Sequence, residues 1–276
     1  MTTGQALKEY ETRHVPSIID KDAVIRILNI LSKDLGNIEV EKLTRKDLLE
    51  YRNKRNLAAS TVNRELRLLS AAINYCKSNC LIEDFKISMP MSKEKPKTNY
   101  LTEEKIRLLI ENSPNSITRD FISLLYLSAQ RFSACQQLKW SQIYNGLIYF
   151  NTDEQSGRMK NRATIGITKD IQAILDRLRA GNDSLYVFPD TRGGNGFCKT
   201  LRAWFQDAAR SAGMDITPHG IRHSSASNAL GKGASIYEVS SFLGHSSTAI
   251  TQRVYIHSDP KTTFKTSSML SLSAGV

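Results

Sequence analysis

From Ser60 to Cys80 the chain places Val62, Leu66, Leu69, Ile73 and Cys76 at steps of four, three, four and three. That spacing lays a single apolar stripe along one helix, with Arg64, Arg67 and Lys77 off the stripe and Ser60 as its N-cap. Residues 1–85 read as helical throughout, and Thr44 caps a shorter helix carrying Arg45, Lys46, Arg52, Lys54 and Arg55. The apolar period lapses over 86–99, KISMPMSKEKPKTN, where Pro and Lys mark a linker. Thr102 followed by Glu103 and Glu104 starts the next helix, and another spans Thr118 to Ala129, ending before Arg131. Gly146–Phe150 and Thr164–Thr168 read as two short strands of one sheet, bridged by the polar segment 151–163. Helices return over 169–180, 197–212, 219–230, 235–243 and 247–256. The chain is therefore expected to be mainly α with a small antiparallel sheet. Its expected division is a helical domain over 1–88, a linker over 89–99, an α+β domain over 100–258 and a Ser- and Thr-rich tail over 259–276.

Charge adds a partner to this picture. The 276 residues carry a net +11, and the excess is spread along the chain. Residues 1–98 hold 18 Lys and Arg against 13 Asp and Glu, and residues 99–276 hold 20 against 14. Two basic domains imply a shared polyanionic partner, around which the linker lets them close as a clamp. Cys76, Cys80, Cys135 and Cys198 show neither a C-x-x-C pair nor a regular framework, so reduced thiols are expected. The sequence has no apolar signal core and no run of membrane-spanning length. The expectation is a soluble cytoplasmic protein with no membrane partner.

The chemistry concentrates in the last quarter, in His219-Gly220-Ile221-Arg222-His223, then Leu243-Gly244-His245, then Tyr255. A histidine and an arginine three residues apart share a helix face and reach one oxyanion together. His219 and His223 also have the spacing of a zinc-protease helix. Position 220 is Gly where that helix places Glu, however, and no third ligand follows, so no metal is expected. Arg131 ends the apolar run from Leu124, which predicts a guanidinium partly withdrawn from water and in need of an anion. Its planar fork suits two phosphate oxygens at once. Tyrosine, with a free pKa of about 10, becomes a nucleophile only among cations and a base. This constellation points to covalent attack on a phosphodiester.

In their order along the chain, Arg131, His219-x-x-Arg222, Leu243-Gly244-His245 and Tyr255 resemble the motifs of the tyrosine recombinase, or phage integrase, family. Leu138-Lys139-Trp140 and Thr217-Pro218-His219-Gly220-Ile221-Arg222-His223 are similar to it as well. Leu43-Thr44-Arg45-Lys46-Asp47 and Ser60-Thr61-Val62-Asn63-Arg64-Glu65-Leu66 resemble its helical core-binding domain. The likeness runs from about residue 5 to residue 258.

The resemblance implies a core-binding domain followed by a catalytic domain, and it implies roles. Tyr255 attacks a DNA phosphate, Arg131 and Arg222 hold the non-bridging oxygens, His219 exchanges the tyrosine proton, and His245 donates to the phosphate. The general acid for the leaving oxygen is Lys160, with Arg158 the alternative. Neither metal nor nucleotide cofactor is implied. The implied partner is double-stranded DNA with a specific recombination site, bound by a homotetramer on paired sites. Arg45, Lys46, Arg52, Lys54, Arg55, Arg64 and Arg67 are the expected DNA contacts outside the catalytic domain.

Two departures stand out: Ala134 lies where the family often has an acidic residue, and one extra residue, with Val254 the candidate, precedes Tyr255. On a helix one extra residue turns a side chain by about 100°. Residues 262–272 are expected to pack on a neighbouring protomer, and no arm-binding domain is expected before residue 5. The function so implied is site-specific recombination of integrase or excisionase type, in the nucleoid of a bacterium or phage-infected cell. The alternatives are a type IB topoisomerase-like enzyme and a DNA-binding protein with a decayed site.

Overall fold

A computed structural model describes residues 1–18, 20–93, 100–150, 163–245 and 248. The chain divides into two compact units, Met1–Pro96 and Lys97–Val276.

The first unit is built from α1 (Thr3–Arg13), α2 (Lys21–Leu35), α3 (Arg45–Arg55) and α4 (Ala59–Ser78). Thr44 caps α3 as expected, accepting from the Asp47 amide while Asp47 accepts from the Thr44 amide in return. The whole predicted stripe of α4 is buried, with Val62, Leu66, Leu69, Ile73 and Cys76 packed against Leu7, Leu28, Leu31 and Leu48. Each such aliphatic side chain contributes about 2 kcal/mol through removal from water. Ser60 is not the N-cap. The Ala58 carbonyl already accepts from the amides of Thr61 and Val62, so the helix starts ahead of Ser60 without a side-chain cap.

Four expectations for this unit change. Arg55 is committed inside the fold: it forks onto Glu65 at 3.0 and 2.7 Å, and Tyr51 donates to the same carboxylate at 2.7 Å. Glu65 is 2% exposed. Burial alone pushes its pKa up, but the bonds from Arg55 and Tyr51 outweigh burial and leave it lowered. Arg52 is likewise turned inward, to Asn63 at 2.7 Å, and Lys54 pairs with Asp34 at 2.5 Å. Residues 86–93 are not free linker either. Ile87 and Met89 pack on the core, Pro90 is buried, and the Asn63 side chain pairs with the Ser92 backbone in both directions.

The second unit holds α5 (Glu103–Glu111), α6 (Ser116–Ser128), α7 (Phe132–Gln136), β1 (Ile143–Tyr144), β2 (Leu147–Tyr149), β3 (Thr164–Gly166), α8 (Lys169–Arg179), α9 (Leu201–Ser211), α10 (Pro218–Gly231) and α11 (Ile236–Leu243). The strands form one antiparallel sheet in the order β1-β2-β3. The expected strands are β2 and β3; β1 is an addition. Tyr144 pairs with Leu147 across Asn145 and Gly146, both at positive φ, a two-residue hairpin turn that Asn-Gly favours. The helix expected from 197 begins only at Leu201. Before it, Cys198 and Asp190 bond to Phe188 and Gly196 in an extended pairing that withholds those amides from a helix.

Helix α6 is the axis of this unit. Phe121, Ile122, Leu124 and Leu125 are fully buried, and Phe121 meets Phe132 and Phe188 edge to face. A separate small cluster of Ala129, Ala226, Val239 and Leu243 docks α11. Among the described residues no helix is long and apolar enough to cross a membrane.

Removing the buried carboxylate tests the first unit alone. Glu65→Ala leaves the Arg55 charge and the Tyr51 hydroxyl without their shared acceptor, at a cost of about 2–4 kcal/mol. Urea unfolding followed by far-ultraviolet circular dichroism is expected to show the loss. The emission of Trp140 and Trp204, both in the second unit, is expected to unfold at the wild-type midpoint.

Candidate active site

The amino end of α10 supplies the first pair of groups. Thr217 caps it by accepting from the Gly220 amide, and Pro218 fills the first turn, where no amide is needed. His219 follows in that turn, near the positive pole of the helix, and Arg222 stands one turn on along the same face. Polar side chains fasten the helix from behind: Ser224 accepts from the Leu101 amide, and Ser225 donates to the Tyr126 carbonyl.

Arg222 is 3% exposed. Its guanidinium donates to the Ala129 carbonyl and to the Leu243 carbonyl, both at 2.7 Å. Those oxygens close α6 and α11, where carbonyls have no helical partner and carry the negative pole. The same guanidinium lies 3.1 Å from Nε2 of His245. Arginine only donates, so Nε2 is the acceptor and the His245 ring proton is assigned to Nδ1. Gly244, at φ +65°, makes the left-handed turn off α11 that brings His245 back to this point.

Arg131 follows the end of α6 by three residues and caps α7. Sequence predicted it partly withdrawn from water. Instead it is exposed, and among the described residues its side chain forms no hydrogen bond or ion pair. The chain turns sharply at Ala129, whose φ of +50° ends α6 and lifts Arg131 clear of the apolar layer. Its charge still reaches the site, since it lowers the pKa of both His219 and His245.

The three histidines are held neutral. Burial first, then the Arg222 and Arg131 charges, push His219 below the ordinary histidine pKa. By area its side chain is still exposed, so the surroundings press on the ring without enclosing it. His245 shifts the same way, by burial and then by Arg222, Arg131 and His219. His223 packs edge-on against His219, with centroids 4.4 Å apart, and falls to about 4 through burial, His219, Arg222 and His245. Among the described residues no group of three or more His, Cys, Asp or Glu is arranged to hold a metal ion. The site is a cationic notch with neutral imidazoles, suited to a tetrahedral oxyanion.

The profile of the phage integrase family matches residues 99–262. The chain belongs to the phage integrase family. It is thus a tyrosine recombinase, an enzyme that cleaves and rejoins DNA. It is 26% identical over 253 residues to a tyrosine recombinase of Thermosipho africanus, covering 86% of each chain. It is 25% identical over 259 residues to the integrase of Escherichia phage P2, covering 92% of this chain and 71% of that one. In fold it resembles the Tn1549 transposon integrase in complex with circular intermediate DNA, with TM-score 0.79 and 16% identity, covering 98% of this chain and 100% of that one. It also resembles a lambda integrase dimer bound to a core site, with TM-score 0.72 and 18% identity, covering 91% and 97%.

The structure thus brings Arg131, His219, Arg222 and His245 to one place. Tyr255, Lys160, Arg158 and Val254 lie outside the described residues, as does the tail 262–272. Two residues packed at this site were given no role from sequence. His223 enters the sequence reading as part of the Thr217–His223 motif and as a rejected metal ligand, and Gln130 as one more residue of an apolar run. The signal for Gln130 was its polarity within that run.

Neutral histidines give the second unit a pH dependence of known sign. Below about pH 6.5 the unfolded chain protonates His223, while the folded unit resists until about pH 4. Stability is therefore lost as pH falls through that window, by about 1–3 kcal/mol once screening is allowed for. Urea midpoints from tryptophan emission at several pH values are expected to decline over it. In His223→Gln the decline is expected to be shallower, and equal slopes would refute the assignment.

Proposed function

We propose that the chain is a site-specific recombinase of integrase type, acting on double-stranded DNA as a tetramer on two paired sites. The observation that carries this reading is the convergence of Arg131, His219, Arg222 and His245 in one notch of a basic chain. The lambda integrase tetramer bound to a Holliday junction and the Tn1549 complexes with DNA, both alike in fold, support it.

In the proposed reaction Tyr255 attacks the phosphorus in line. A phosphorus–oxygen bond to tyrosine forms, the bond to the 5′ oxygen breaks, and the strand is held as a 3′-phosphotyrosine. His219, kept neutral at pH 7, takes the tyrosine proton. Arg131 and Arg222 hold the non-bridging oxygens and offset the charge that grows on the phosphorane. His245 donates to the same phosphate from the ring nitrogen that carries its proton. Lys160, or Arg158 in its place, protonates the departing 5′ oxygen; lysine gives up a proton far more readily. Attack by a 5′ hydroxyl of the second duplex reverses these steps, so the diester energy is conserved without a nucleotide. In the helical unit the proposed phosphate contacts are Arg45, Lys46, Arg64 and Arg67, all exposed, because Arg55 is held by Glu65.

Covalent trapping tests the reaction. The DNA site is first selected from a randomised duplex pool and then nicked near the point of cleavage. Wild type is expected to form a detergent-resistant complex that Tyr255→Phe abolishes; a complex persisting in Tyr255→Phe places the nucleophile elsewhere. Two-site strand exchange, set beside relaxation of a plasmid lacking the site, separates recombinase from topoisomerase.

The DNA contacts have their own measure. Plotted as log affinity against log salt, binding is expected to fall steeply, and Arg64→Ala to lower the slope by about 1. An unchanged slope removes Arg64 from the interface.

A further inference from the structure

Gln130 stands between the left-handed Ala129 and the exposed Arg131, and it is 1% exposed. Its Nε2 donates to the Phe242 carbonyl at 2.9 Å and to the Ser128 carbonyl at 3.1 Å. Both contacts are acceptors, so the amide nitrogen, not the oxygen, faces them. The Oε1 atom is buried and has no hydrogen-bond partner among the described residues. An unpaired buried carbonyl is a net cost, and a methionine would fill similar space without it. Packing therefore does not account for glutamine here, whereas its two donations do.

Those donations tie together the parts that carry the reacting groups. Phe242 and Leu243 present consecutive carbonyls at the end of α11, one taking Gln130 and the next taking Arg222. Two residues on, the His245 ring accepts from Arg222. The apolar cluster that docks α11 has four buried members, two of them alanines, with Leu230 and Phe242 packed against it. Among the described residues, one side-chain bond from Gln130 and one from Arg222 reach the last two carbonyls of α11 and help to fix where that end comes to rest.

We propose that Gln130 is a positioning residue for strand cleavage: its amide fastens the end of α11 to the turn bearing Arg131 and so sets His245 against Arg222. The inference rests on the recombinase reading of this site. It gives Gln130 no contact with DNA and no share in proton transfer. Its part is to keep Arg131, Arg222 and His245 in register while Arg222 is drawn toward a phosphate.

The test compares the full chain with Gln130→Met, which keeps the length of the side chain and removes the donor. Arg177→Met serves as a control, since it breaks the Arg177–Asp120 pair between α8 and α6. Single-turnover covalent complex formation on saturating nicked duplex is expected to slow about 10- to 100-fold in Gln130→Met. DNA affinity is expected to stay within about threefold, and the melting temperature within about 4 °C of the control. Nitrogen-15 spectra of His245 are expected to show the Nδ1-protonated ring in wild type and a mixture of tautomers in Gln130→Met. A wild-type rate in Gln130→Met overturns the proposal. So does a slower rate with an unchanged His245 spectrum, which makes Gln130 merely structural. If wild type itself forms no covalent complex, the recombinase reading fails. The His245 spectrum then decides the brace alone, an unchanged one refuting it. Should Gln130→Met fail to fold, Gln130→Asn, whose nitrogen is one methylene short of Phe242, is judged by the same outcomes.

Discussion

Burying the guanidinium of Arg222 is the constraint around which the second unit is arranged. A charge so enclosed is strongly unfavourable unless oxygens are brought to it. The fold brings them from two directions, by ending α6 at Ala129 and α11 at Leu243 with their last carbonyls aimed at the same guanidinium. One side chain thus caps two helices, and the negative poles of both help to offset its charge. The left-handed turns at Ala129 and Gly244 follow from this demand. Each stops its helix where the carbonyl is needed, and each delivers the next functional residue, Arg131 or His245, to the rim of the notch.

Electrostatics then explains why the histidines stay neutral. With two arginines close by, another positive charge is opposed, and partial burial opposes it further. A neutral His219 can take a proton and a neutral His245 can accept from Arg222. An arriving phosphate changes the balance, because its oxygens are better acceptors for arginine than an imidazole is. Arg222 can then turn from His245 to the phosphate while its carbonyl partners keep it in place. In the reaction proposed above, the resting contacts hold the site assembled without an anion and yield once one arrives.

Much of this architecture was legible from apolar spacing. The stripe of α4 and the buried run of α6 follow the helical period because burial selects it, and the Thr44 cap follows from its capping box. Local backbone chemistry was harder to read. Asn145-Gly146 carried the signal for the hairpin to β1, but a strand of two residues has too little alternation to register. Ser60 looked like a cap because serine often is one, although the helix had already begun at Ala58. At the site, the spacing of His219 and Arg222 foretold a common face. It could not foretell that Arg222 would be buried and Arg131 exposed. Burial is decided by where α6 ends, and that depends on a guanidinium more than ninety residues away in sequence.

The same difficulty limits any reading of the surface from charge. A basic chain invites the assumption that each arginine on a polar helix face meets the polyanion, yet Arg55 forks onto a buried glutamate and Arg52 donates to an asparagine. Glu65 lies on the buried side of α4, among the apolar stripe, while Arg64 and Arg67 are turned out from it. Its place on that side is what commits Arg55, because a buried carboxylate needs a cation and α3 brings one within reach. Arginines facing an inward acid stabilise the unit, and the proposed DNA contacts are drawn from those that face water. The distinction lies in which face of the neighbouring helix holds the acid, a property of packing that net charge does not contain.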